Sequence, residues 1–257
     1  MSIPKIIHYC WFGGNDKPEI IKKCIKSWRK YCPDYQIIEW NEDNFDVQCI
    51  PFCKQAYESK KWAFVSDYAR LKVLLEYGGI YMDTDVELIR PIDDLLPLGC
   101  FIGFQHEHFV SNGLVVGAEA SNPFIQENAA IYEHLTFTNE DDSHKLIVCQ
   151  EYTTEILKKY GLEVPDTGEI QVINGVHVFP SEYFCPYDHR TFKMNKTHNT
   201  YAIHHFASSW WDEGRKKEYK DIERQVKMDR ILHAPNRLLM RLLGEKKYSM
   251  LKKILGK

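Results

Sequence analysis

Asp83-Thr84-Asp85 places two carboxylates one residue apart. At the end of a strand such a pair can point to the same side. It repels itself unless a cation sits between or beside it. Hard, oxygen-preferring Mg²⁺ or Mn²⁺ fits best, with substrate phosphate filling other positions. The chemistry on offer is a divalent cation holding a diphosphate. The plain alternative is a solvated turn, because a bare D-x-D arises by chance about once in a chain of this size and composition. Asp67 and Arg70 lie three apart and so share a helical face. They are either a surface ion pair, worth little, or groups delivered to the carboxylates by a tight corner.

The elements that must position these groups run from Phe64 to Val86. Ala69, Val73, Leu74 and Tyr77 recur at helical spacing. Gly78-Gly79 follows at once, and a left-handed cap costs glycine little, so the helix ends there. Ile80-Tyr81-Met82 is then a short strand ending at the two carboxylates. Upstream, Ile3 to Trp11 reads as a buried first strand running into Gly13-Gly14, a corner of the kind that binds nucleotides in open α/β sheets. G-x-G-x-x-G is absent. Pro18 suits a first helical turn, and Tyr35 to Trp40 reads as the second strand.

The pattern D-Y-A-R-L…Y-G-G-I-Y-M-D-T-D resembles the sugar-binding region of family 32 glycosyltransferases, and is more distantly similar to the large glucosylating toxins. Asp67, Arg70, Gly78, Gly79, Tyr81, Asp83 and Asp85 match in register. I-P-K-I-I-H-Y-C-W-F-G-G resembles the family's opening strand, which implies that Trp11 lies against the nucleotide base; the alternative is a core tryptophan. Y-A-I-H-H-F-A-S-S-W-W resembles the closing motif. It implies His205, in preference to the alternative His204, as a metal ligand, Ser208 as a phosphate contact and Trp210 as a ring near the donor. His204 would then point the other way by strand alternation. Relatives often carry glycine where Ala207 or Ser208 stands. Related folds place a polar side chain such as Asn112 on the donor sugar.

The resemblance implies an α/β chain of GT-A type: a Rossmann-like mixed sheet flanked by helices, with Mn²⁺ or Mg²⁺ and retention of anomeric configuration. Asp85 and His205 would be direct ligands, with Asp83 on the metal through water or on the ribose. Asp67, Arg70 and Tyr81 would contact the sugar. The expected substrates are a nucleotide-diphosphate sugar, uridine diphosphate favoured over guanosine diphosphate, and a saccharide or lipid-linked acceptor in cell-surface polysaccharide or glycolipid assembly. A phosphohydrolase is the first rival, but Glu87 stands where its motif wants Thr or Val. A non-catalytic nucleotide-sugar or membrane-binding module is the second.

Composition agrees with an enzyme of this kind. The 257 residues suffice for one sizeable core with a small appendage. A net charge of −3 gives no global attraction to nucleic acid. Eight scattered cysteines without C-x-x-C argue against a zinc site and for reduced thiols. No basic leader or membrane-length apolar run is visible, so a cytoplasmic location is expected. The expected domains are a catalytic unit over 1–211 and a basic helical extension over 212–257. In the latter, leucines alternate with Arg237, Arg241, Lys246 and Lys247, a pattern that suits either an anionic membrane surface or a docked helix. Further along, Asn122-Pro123 opens a helix and Asn174-Gly175 marks a hairpin.

Overall fold

The computed structural model describes residues 2–138, 149–188, 191–207, 214, 217–229 and 231–232. In chain order the elements are β1 (Ile6–Cys10), α1 (Glu19–Tyr31), β2 (Gln36–Trp40), α2 (Pro51–Glu58), α3 (Trp62–Tyr77), β3 (Gly79–Met82) and β4 (Val86–Leu88). A 3-10 turn at Asp93–Leu98 leads to β5 (Cys100–His106), β6 (Phe109–Ser111), β7 (Val115–Ala118), α4 (Pro123–Glu133) and α5 (Cys149–Lys159). Then come β8 (Gln171–Ile173), β9 (Val176–Phe179), α6 (Ser181–Phe184), β10 (Tyr187–Asp188), β11 (Lys193–Met194) and β12 (Ala202–His204).

Among the described residues, the main sheet has the order β2-β1-β3-β7-β5-β9-β8, with β6 on β5. β1 pairs in parallel with both β2 and β3, whereas β3–β7, β5–β7 and β8–β9 are antiparallel. This is the mixed, helix-flanked sheet expected from the sequence. The α/β class is borne out.

Period-two alternation sends successive side chains into two cores. Ile7, Tyr9, Ile80 and Met82 pack with Ile21, Cys24 and Trp28 of α1 on one side. Cys10 and Tyr81 pack with Val65, Leu71 and Leu74 of α3 on the other. That parity decides the site, because the residue two beyond Tyr81 is Asp83. α3 ends at Gly78, with φ 63°, and the chain turns at Gly79, φ 106°. A Cβ on Gly78 would sit 2.7 Å from the backbone nitrogen of Ala120, so glycine is required both for conformation and for space.

Asn122 caps α4 as expected, its Oδ1 accepting from the amides of Phe124 and Ile125. Asn174 and Gly175, both at positive φ, turn β8 into β9. Pro18 differs slightly from expectation: it stands at the N-cap of α1, one place before the first helical residue.

The chain divides into two compact units, Met1–Asp188 with Met194–Trp210, and His189–Lys193 with Trp211–Lys257. In the second, residues 217–229 are helical, with Ile222 and Met228 exposed. The leucine- and lysine-rich segment after Pro235 lies outside the described residues. No described helix is long and apolar enough to cross a membrane.

Candidate active site

β1, β2 and β3 run in parallel, so their carboxyl ends open along one edge of the sheet. Trp11 follows the first, Asn41 and Glu42 the second, Asp83 the third. Trp11 donates its backbone N–H to Trp40, prolonging the β1–β2 ladder (2.8 Å). Its ring lines a cleft of about 550 Å³ with Gly13, Lys17, Glu39, Tyr57 and Trp62. The ring is half-buried, and its Nε1–H donates to Asn15 (2.7 Å). Trp11 therefore walls the cleft while also packing, partly buried, against the core beside β1. The cleft does not include the carboxylate pair, which lies further along the same edge.

Asp83 shares the parity of Tyr81 and so faces α3. There Arg70 donates from Nη2 to Asp83 Oδ1 at 3.1 Å. Its Nη1 reaches Asp67 Oδ1 at 2.9 Å and Asn112 Oδ1 at 2.8 Å. Tyr81 donates its hydroxyl to the same Asp83 oxygen at 2.9 Å, and the Arg70 guanidinium lies 5.1 Å from the Tyr81 ring centroid. The backbone holds Asp83 as well, its N–H donating to the Gly113 carbonyl (3.0 Å). The Asp67–Arg70 pair is buried, at 8% and 4% exposure, so it is not the surface ion pair of the plain alternative. Burial pushes the Asp67 carboxyl up to about 6 despite Arg70. Asp83 is also raised by burial, with Arg70 opposing.

Asp85 lies in the turn before β4, outside strand alternation. The β4–β12 register pairs Ile203 with Glu87 and His204 with Val86. His205 therefore shares the face of Ile203 and Glu87, and its Nε2 lies 2.8 Å from Glu87 Oε2. Lys23 reaches that same oxygen at 2.7 Å. His204 faces the other way, and its Nε2 stands 3.2 Å from Asp85 Oδ1. Asp85 Oδ2 accepts the Ala207 N–H at 2.8 Å.

Asp83, Asp85 and His204 offer ligand atoms within 4.8 Å of one another. The histidine of this cluster is His204, which corrects the expected His205. The physical reason is the strand parity: His205 is committed to the Glu87 face. Two hard carboxylate oxygens and one imidazole nitrogen fit Mn²⁺, and fit Mg²⁺ less well. Burial alone raises the Asp85 carboxyl, but the adjacent His204 more than reverses this and leaves it below its usual value. Burial opposes the His204 charge, yet Asp85 raises its pKa well above the ordinary imidazole value. His204 and Asp85 thus favour each other's charged forms, and a cation held here would compete with the His204 proton.

Two other expected contacts are placed differently. Tyr81 is 1% exposed and spends its hydroxyl on Asp83. Asn112 is also 1% exposed, with Oδ1 on Arg70 and Nδ2 on Thr153. Both support the carboxylates and arginine from behind, where the expectation was contact with the sugar. Ser208 and Trp210 lie outside the described residues. Sequence reading missed Gly113, whose added Cβ would stand 2.3 Å from Asp83 Oδ2. It also missed Trp62 and Tyr57 in the cleft wall, and nothing local in their sequence marks them.

Residues 18–102 match the family model described as a glycosyltransferase sugar-binding region containing a DXD motif. The resemblance read from the sequence is thus confirmed for that region. The chain is 32% identical over 128 residues to inositol phosphoceramide mannosyltransferase 3 of Schizosaccharomyces pombe, covering 48% of this chain and 35% of that one. It is 24% identical over 229 residues to an uncharacterised glycosyltransferase of Acanthamoeba polyphaga mimivirus, covering 81% and 84%. Among solved structures, it is similar to PaToxG glycosyltransferase at 19% identity and TM-score 0.47, over 62% of this chain and 70% of that one. The chain spans about a third of the length of the yeast relative.

Proposed function

We propose that this chain, whose residues 18–102 match a glycosyltransferase sugar-binding region, is a retaining, Mn²⁺- or Mg²⁺-dependent hexosyltransferase. Its donor is a nucleotide-diphosphate sugar, with uridine diphosphate sugars first in line, and its acceptor a saccharide or glycolipid. The observation that supports this best is the convergence of Asp83, Asp85 and His204 beside the buried Asp67–Arg70 pair. The relative named a mannosyltransferase acts, by that name, on inositol phosphoceramide, so mannose donors and glycolipid acceptors belong in the screen. Cell-surface polysaccharide assembly and a membrane contact through the basic C-terminal segment are part of the same proposal.

In this reading Trp11 stacks on the base, at the mouth of the cleft. Asp85, His204 and Asp83 would hold the cation. The cation supplies Lewis-acid neutralisation of the charge that develops on the leaving diphosphate. Arg70 orients Asp83 and Asp67 toward the donor sugar. Asp67 is tied to Arg70 and buried, which makes it a poor nucleophile for double displacement. A front-face displacement follows: the anomeric C–O bond to phosphate breaks, the acceptor oxygen bonds to the same carbon, and its proton passes to the departing phosphate oxygen.

The test is incubation with a panel of sugar nucleotides, with and without Mn²⁺. Mn²⁺-dependent release of nucleoside diphosphate supports the transferase. Phosphate release from simple monoesters instead supports the phosphohydrolase, and binding without turnover supports a non-catalytic module.

A further inference from the structure

Behind the site, four buried side chains form a line of hydrogen bonds that leaves no choice of direction. Arg70 Nη1 donates to Asn112 Oδ1 at 2.8 Å. Asn112 Nδ2 donates to Thr153 Oγ1 at 3.1 Å. Thr153 Oγ1 donates to Asn128 Oδ1 at 2.9 Å, and Asn128 Nδ2 donates to the Phe124 carbonyl at 2.8 Å. Arg70, Asn112, Thr153 and Asn128 are 4%, 1%, 1% and 2% exposed, so water does not substitute for any member.

The line begins at a group that only donates and ends at one that only accepts. Arginine therefore fixes the amide orientation of Asn112. The Phe124 carbonyl independently fixes that of Asn128. The Thr153 hydroxyl must accept on one side and donate on the other. Any reversal would set donor against donor or acceptor against acceptor in a buried place. The far end is itself anchored, because Asn122 caps the turn of α4 that carries Phe124.

We infer that Thr153 on α5 and Asn128 on α4 are positioning residues, acting through Asn112 to hold the Arg70 guanidinium against Asp83 and Asp67. Two helices remote in sequence thereby set the geometry of the α3–β3 corner. Neither residue belongs to the Asp83, Asp85 and His204 cluster that could hold a cation. The kinetic part of this inference rests on the transferase reading; the structural part does not.

The test uses the full chain with Thr153→Val, which keeps the shape and removes the hydroxyl, and Thr153→Ser, which restores it. The first readout is the Arg70 guanidinium N–H signals by NMR: slowly exchanging in the parent and in Thr153→Ser, lost or broadened in Thr153→Val. The second is kinetics: Thr153→Val lowers kcat about 10–100-fold, the range for partners that orient a functional group. Asn128→Asp, which sets a carboxylate against the Phe124 carbonyl at constant volume, is the second variant should Thr153→Val not fold. Its expected signature is the same broadening of Arg70. Unchanged Arg70 signals and kcat in Thr153→Val overturn the inference, as does Thr153→Ser behaving like Thr153→Val. A parent that turns over no sugar nucleotide refutes the transferase reading, while the Arg70 signals still decide the relay.

Discussion

Nε2 of His204 lies 3.2 Å from Oδ1 of Asp85, across the seam where β12 meets the turn before β4. The two side chains reach each other because Asp85 precedes the β4 ladder and His204 ends its partner strand. His205, the next residue, is turned to Glu87 and Lys23. Two neighbouring histidines thus differ sharply in what they can bind. His204→Ala and Asp85→Ala are each expected to weaken Mn²⁺ binding by more than about 100-fold, beyond what loss of an orienting partner costs. Both should abolish metal-dependent donor turnover with circular dichroism unchanged. His205→Ala should leave Mn²⁺ affinity nearly as it was, since His205 is turned to Glu87 and away from the Asp83, Asp85 and His204 cluster. Calorimetric titration with Mn²⁺ checks this. Loss of affinity in the His205 variant with retention in the His204 variant would reverse the assignment.

Gly113 is where the backbone comes closest to Asp83. Its carbonyl accepts the Asp83 N–H, and the space a Cβ would need is occupied by Asp83 Oδ2 at 2.3 Å. Arg70 Nη1 lies 3.4 Å from the same point. Gly113→Ala must therefore push the carboxylate out of place or strain the β6–β7 connection. Overpacking of this kind costs about 1–3 kcal/mol, which in a chain of this size lowers Tm by about 2–4 °C per kcal/mol. Donor turnover should fall further than stability, because the displaced group is a proposed metal ligand. A variant with parental Tm and parental turnover would show that the corner has room to spare.

Trp11 walls the cleft at the end of β1, where its Nε1–H bond to Asn15 holds the ring edge-on to the loop. Stacking of a base on an aromatic ring contributes about 1–3 kcal/mol. Trp11→Ala should weaken nucleoside diphosphate binding by the corresponding ~5–150-fold, with Mn²⁺ affinity retained, because the cleft does not include the metal cluster. Equal nucleotide affinity in parent and variant would return Trp11 to a packing role.

How far these features were legible in the sequence depends on whether local pattern or tertiary register decides them. The Ala69, Val73 and Leu74 stripe of α3, the Gly78-Gly79 stop and the Asp83–Asp85 pair are local, and the structure has each where the pattern put it, whereas Tyr77, expected on the same stripe, is exposed. The Asp67–Arg70 contact follows from helical spacing alone. The choice between His204 and His205 does not. It turns on the β4–β12 register and on Asp85 lying in a turn, and neither leaves a trace in a single chain. Asn112, Thr153 and Asn128 are polar residues of ordinary surroundings, brought together across 41 and 25 positions of chain. Asn112, expected on the donor sugar, bonds Arg70 and Thr153 instead. The residues of 208–210 that the closing motif implicates lie outside the described residues.

His8 gives the fold a dependence on pH of its own, apart from the groups of the site. It is fully buried on β1, with Nδ1 accepting the indole N–H of Trp40 at 3.1 Å. Indole only donates, so the ring proton is on Nε2 and goes to the Gly78 carbonyl at 2.8 Å. A second proton on Nδ1 would face the Trp40 N–H in a fully buried place. Burial pushes the pKa down to about 4 from 6.5, although the Gly78 bond opposes this. Above pH 6.5 the imidazole is neutral in both folded and unfolded chains, and its contribution is fully present. As pH falls below 6.5 the unfolded chain takes up a proton that the folded one refuses, so stability drops until about pH 4, by roughly 3 kcal/mol in total. His8→Gln retains a donor and an acceptor without a titrating group. Urea unfolding at steps from pH 7 to pH 4 should show the parent losing stability more steeply than this variant, by up to about 1.4 kcal/mol per pH unit. Parallel curves for the two proteins would mean that His8 is not the group that titrates.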